Sequence, residues 1–212
     1  PFDDAALLVA AIDALNAHER LAPEPGDTLA VIGVGAMGLG AIATFRALGH
    51  PVVAIGGTGR RAELARQMGC REVIRLARHD EDVGEAVRAL APQGFDCVME
   101  TTASDWGVTL ATRIAAIGGR VALTGGGALA LSAWDLVFRE LSVFGVKAGT
   151  RQEQALRLIE QGRLQLAAAI THRMRLEQAP EAFRLLAGPD RADNGRIMIE
   201  IDDFTDESQR GS

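Results

Sequence analysis

The sequence predicts an α/β fold, a doubly wound parallel sheet with a leading helix and a C-terminal helix/strand appendage. Short apolar, β-branched runs alternate with helix-length segments from Thr28 to Val146, the rhythm of βαβ units. The first run, Thr28–Ile32, passes through the turn Gly33-Val34-Gly35-Ala36-Met37-Gly38 straight into a helix-like stretch at Leu39–Leu48. At 212 residues and 48% apolar content the chain is long enough to bury a sizeable core.

Each element has its own signal. Leu7, Leu8, Ala11, Ile12 and Leu15 recur at helical spacing, which predicts one amphipathic helix over 4–20 with Asp3 or Asp4 near its cap. Pro23-Glu24-Pro25-Gly26-Asp27 ends it. After the glycine turn the expected order is strand 52–55, helix 60–68, strand 72–76, helix 81–90, strand 95–99, helix 106–115, strand 120–123 and strand 141–146. The remainder changes character, with helix 152–161, an extended piece at 171–174, helix 177–186 and strand 196–201 folding back. The division expected is a leading helix at the domain boundary (1–22), the sheet domain (23–150), the appendage (151–201) and a disordered polar tail (202–212).

Composition narrows the class. No uninterrupted apolar segment is long enough to cross a bilayer, since Asp13 cuts the run Ala5–Leu15. A net charge of −6 and no basic stripe argue against a nucleic-acid surface and for a small partner. Two cysteines, Cys70 and Cys97, form neither a disulfide framework nor a zinc lobe, fit the cytoplasm, and are read as inert core residues. The four histidines lack metal-ligand spacing: His18 reads as a helix-surface residue, His50 as a turn residue, His79 as part of a charged loop and His172 as structural. Trp106 and Trp134 read as helix-packing residues. Ser104, Ser132 and Ser142 lack a nucleophile-elbow context.

The glycine turn carries the chemistry. Gly33 permits the tight turn, Gly35 lets backbone approach a pyrophosphate, Gly38 lets the helix pack on the strand, and the free N–H groups of the helix face the phosphates through Ala36 and Met37. Glycine-rich turns also close ordinary loops, and a related one serves methyltransferases.

Beyond the turn, Pro25-Gly26-Asp27-Thr28, Arg61–Ala65 with Gly69, Met99-Glu100-Thr101-Thr102, Gly118–Val121 and Ile170–Arg173 followed by Leu176–Phe183 stand in the order of known blocks. In these the chain resembles the medium-chain dehydrogenase/reductase family of zinc-type alcohol, sorbitol and threonine dehydrogenases. The resemblance implies the cofactor domain of an NAD(P)-dependent oxidoreductase and a missing N-terminal catalytic domain. It aligns a zinc ligand with Val9, so a zinc-independent enzyme is expected. Asp13 is the other candidate ligand on that helix, against a reading as a solvated charge.

Coenzyme choice turns on the end of the second strand, where an NAD-preferring fold places an acid and this chain has Gly56. Gly57, Thr58, Arg60 and Arg61 offer no carboxylate to repel a 2′-phosphate and two cations to bind one, so NADP is favoured over NAD. Thr101, Thr102 and Ala103 after the fourth strand are placed by adenosine and ribose, and Thr124, Gly125 and Gly126 after the fifth by nicotinamide. The resemblance adds Val146 and Lys147 near nicotinamide, Arg196 at the pyrophosphate, and a homodimer through the strand at 141–146. A stand-alone nucleotide-binding module without catalysis is the alternative, and a methyltransferase the third.

Overall fold

The computed structural model describes residues 2–57, 59–76, 83–147, 149–188 and 194–201. Thr58, His79 and the tail 202–212 lie outside them. Strands β1 (Leu29–Ile32), β2 (Val52–Ile55), β3 (Glu72–Ile74), β4 (Phe95–Glu100), β5 (Ala115–Leu123) and β6 (Ser142–Gly145) form one parallel sheet in the order β3-β2-β1-β4-β5-β6. Helices α1 (Phe2–Ala6) and α2 (Leu8–Leu21) precede it, and α3 (Ala36–Ala47), α4 (Gly59–Gln67), α5 (Gly84–Leu90), α6 (Asp105–Ile114) and α7 (Ala133–Arg139) connect its strands. The appendage is α8 (Gln152–Glu160), strand β7 (Ile170–Arg175), α9 (Ala179–Ala187) and strand β8 (Arg196–Glu200), with β7 and β8 paired in parallel as a second small sheet.

The central strand explains the two layers. All four residues of β1 are buried, and they alternate: Leu29 and Val31 join a core with α2, α3, α4 and α8, while Ala30 and Ile32 join a core with α5 and α6. Strand order reverses between β1 and β4, and ligands of such sheets bind outside the strands' carboxyl ends at that point.

Four expectations are corrected. The leading helix is two helices, broken at Leu7, whose N–H donates to the Asp4 carbonyl while the Asp4 carboxylate is held by the N–H groups of Leu166 and Ala167. Strand β5 starts earlier, at Ala115. Helix α7 is additional, and it buries no residue, so Trp134 is 68% exposed rather than packed. His18 is half-buried and sits with its Nε2 3.0 Å from Nε2 of His50, in a tertiary pair that sequence spacing did not indicate.

Both imidazoles titrate below the ordinary histidine range. Burial is the main cause for each; His50 and Arg151 add to it at His18, whereas Asp27 opposes it at His50. As pH falls through the unfolded value of about 6.5, the unfolded chain takes up these protons first, so stability present above that pH is lost below it. The urea midpoint should therefore drop between about pH 7.5 and pH 5.5, and drop less in His50→Gln. An equal drop in the variant would contradict this.

Candidate functional site

The glycine turn is built by contacts at both of its ends. The Gly33 N–H donates to the Ile55 carbonyl at 2.8 Å, and Gly33 has φ +98°, open to glycine without strain. A Cβ on Gly33 would lie 2.6 Å from Thr101 Oγ1, so the turn meets the end of β4 at the point where strand order reverses. A Cβ on Gly38 would lie 1.8 Å from the Gly33 carbonyl oxygen, which fixes glycine there by close helix–turn approach.

Gly35 is different. It caps α3 with φ −78° and ψ −170°, a conformation open to any residue, and a Cβ there would meet nothing within 4 Å. No side chain caps the helix at this residue, so the amides of the first turn, through Ala36, Met37 and Gly38, point into open space with the positive end of the helix dipole. The chemistry of this turn suits a diphosphate: backbone donors and the helix dipole stand at a residue without a side chain, where an added Cβ would meet nothing within 4 Å.

Four loops rise over the same edge of the sheet. After β2, the Gly56 N–H donates to the Ile74 carbonyl at 2.9 Å, and Gly57 is pressed against Val34, where a Cβ would lie 2.1 Å from a Val34 methyl. Arg60 opens α4 and is exposed, whereas Arg61 donates Nε–H to the Asn194 carbonyl at 2.9 Å and is tied to the segment leading into β8. After β4, the fully buried Glu100 organises the loop: its carboxylate accepts from the Thr102 N–H at 2.5 Å, from the Thr102 hydroxyl, and from the Ala103 N–H at 3.4 Å. Thr101 donates its hydroxyl to the Ile32 carbonyl and Thr124 to the Glu100 carbonyl. The three threonine hydroxyls are thus engaged within the protein.

Gly125 and Gly126 are exposed beyond β5. Past β6, Val146 is buried in the core and offers only backbone, while Lys147 is exposed. Arg196, distant in sequence, lines a narrow cleft with Ala36 and Gly40, which brings it beside the first turns of α3. The thiols of Cys70 and Cys97 are pushed up to about 11 and about 12, chiefly by burial, so neither is a thiolate at neutral pH.

On α2, Val9 is 55% exposed and apolar. Asp13 is not a solvated charge, as its place in the sequence suggested: it is 8% exposed, and burial raises its pKa. Glu100 likewise escaped sequence reasoning as a site residue, although an acid ending a central strand just before paired threonines was a signal for it.

Residues 36–161 match the family model for zinc-binding dehydrogenases. The chain belongs to that family. The L-threonine 3-dehydrogenase of Bacillus licheniformis is 32% identical over 174 residues, covering 76% of this chain and 48% of that protein. The alcohol dehydrogenase of Thermus sp. superposes with a TM-score of 0.79 at 25% identity, covering 94% of this chain and 60% of that one. A short chain alcohol dehydrogenase from E. coli, solved with the cofactor NADH, has a TM-score of 0.81 at 18% identity over 90% of this chain and 57% of its own, a likeness of fold alone. This zinc-binding dehydrogenase family member spans about half the length of the curated relatives it matches. Among the described residues no group of three or more His, Cys, Asp or Glu is arranged to hold a metal ion, and no helix is long and apolar enough to cross a membrane.

Proposed function

We propose that this chain is the coenzyme-binding portion of an NAD(P)-dependent oxidoreductase that moves hydride between nicotinamide and an alcohol, a carbonyl or an activated alkene. Gly35 carries the reading: nothing within the protein requires glycine there, and a closely approaching diphosphate does. Family membership supports it, as does the NADH held by a protein of the same fold. When bound, the nicotinamide supplies the redox chemistry. The chain's own residues hold and orient it: the amides of 36–38 and Arg196 at the diphosphate, the loop 101–103 at adenosine and ribose, and 124–125 with 146–147 beside the ring. Residues 23–150 form the coenzyme domain in this reading, and 151–201 lead back toward a catalytic domain that completes the substrate cleft.

NADP is the preferred coenzyme. Both described residues following β2 are glycines, and Arg60 stands exposed at the start of α4. Thr58 completes this group in sequence. Val9 offers no zinc ligand, so carbonyl polarisation falls to another group. Calorimetric titration of the chain with NADPH, NADH and S-adenosylmethionine tests the coenzyme assignment. NADPH should bind most tightly; tighter NADH binding would overturn the preference, and binding of S-adenosylmethionine alone would remove the oxidoreductase reading.

A different surface, at the edge of the sheet, favours a homodimer. Strand β6 is an unpaired edge, and beside it Trp134 and Phe138 stack at 5.1 Å while 68% and 72% exposed. In sedimentation the parent chain should run as a dimer and Phe138→Asp as a monomer. A monomeric parent would contradict this interface. The apolar, exposed Val9 also favours a second reading, a nucleotide-binding module without catalysis, in which coenzyme binds but the full-length protein shows no turnover.

A further inference from the structure

Asp13 is a buried carboxyl that the coenzyme reading leaves unused. It is 92% removed from solvent by its 8% exposure, and its Oδ1 has no hydrogen-bond partner. An unpaired buried carboxyl costs stability, and such groups call for a ligand or reaction that supplies the partner.

Its position follows from helix packing. Helices α2 and α3 run in the same direction: Ala10 lies against Gly40, and further along both helices His18 lies against Phe45. Because α3 starts above the carboxyl edge of the sheet, α2 also descends from that edge. Val9, Asp13 and Asn16 share one stripe of α2, at spacings of four and three residues. Asn16 donates its Nδ2–H to the Lys147 carbonyl at 2.5 Å, just past the end of β6. Asp13 therefore stands about 4.5 Å farther above the sheet than Asn16, on the side where the loops after β5 and β6 emerge.

We propose that Asp13 sets the oxidation-state preference of the coenzyme, its carboxylate lying beside the nicotinamide and favouring the positively charged oxidised ring over the neutral reduced one. This rests on the coenzyme reading above. Among the described residues no ion pair to this carboxyl is found, and burial raises its pKa. The oxidised ring supplies the missing charge, and in a poorly solvated site a single opposite charge changes affinity by about tenfold or more.

The test compares the parent chain with Asp13→Asn and Asp13→Ala, titrating each with the oxidised and the reduced coenzyme and recording its melting temperature. Both variants should lose about tenfold in affinity for the oxidised form, keep their affinity for the reduced form, and melt at higher temperature than the parent. Equal losses for the two forms, or no change in their ratio, would overturn the assignment while leaving the coenzyme reading standing. A parent chain that binds neither form would overturn both.

Discussion

Gly35→Val should abolish coenzyme binding in a protein that still folds. The residue has φ −78°, which valine adopts freely, and the added side chain enters space that no protein atom occupies within 4 Å. The stability cost is then that of a poor helix cap, about 1 kcal/mol. The ligand cost is larger, because the valine occupies the volume from which the first-turn amides of α3 reach an anion. Losing two charge-assisted hydrogen bonds at roughly 1.5–3 kcal/mol each lowers affinity by a hundredfold or more. Calorimetry and a thermal melt on one sample separate the two effects. A variant that binds NADPH like the parent, or one that is unfolded, would refute the assignment of this volume to the diphosphate.

Gly38→Ala should do the opposite and damage the fold itself. Its Cβ would lie 1.8 Å from the Gly33 carbonyl oxygen and 2.8 Å from the carbonyl carbon, both backbone atoms without a rotamer to escape through. Relief requires α3 to shift from the end of β1, and α3 cannot move alone, because Gly40 on its next turn lies against Ala10 of α2, where a Cβ would come within 2.4 Å of the Ala10 Cβ. Overpacking of this kind costs about 3 kcal/mol or more. Urea unfolding measures it, and a midpoint unchanged from the parent would show that the turn is looser than its geometry. Gly35 and Gly38 thus serve one motif in different ways, the first toward a ligand and the second toward the protein.

The division between what could be read in the sequence and what could not follows from where each signal lies. The middle of the sheet was readable because β1 and β2 are buried on both faces and so appear as apolar runs; β2 spans Val52–Ile55 both by sequence and in the structure. Helix α7 was missed although it had two marks in the sequence, Trp134, Val137 and Phe138 at helical spacing and the capping box of Ser132 and Asp135; it is only seven residues long and buries none of them. Strand β5 begins earlier than expected because Ala115–Gly119 is poor in strand-forming side chains, and Ala115 is paired with Phe95 of β4 ahead of an irregularity in the register. Asp13 and the His18–His50 pair depend on tertiary packing between segments far apart in the chain, which local pattern does not encode. In the turn, Gly33 and Gly38 are legible in the sequence because each answers a backbone constraint, whereas Gly35 answers none within the protein. The roles of Glu100, Arg61 and Val146 depended on which way each side chain turns.

A crystal structure of the 212-residue chain soaked with NADPH tests the central claim most directly. The diphosphate should lie against the amides of Ala36, Met37 and Gly38, over the Cα of Gly35. Density elsewhere, or an empty cradle at saturating coenzyme, would contradict the account.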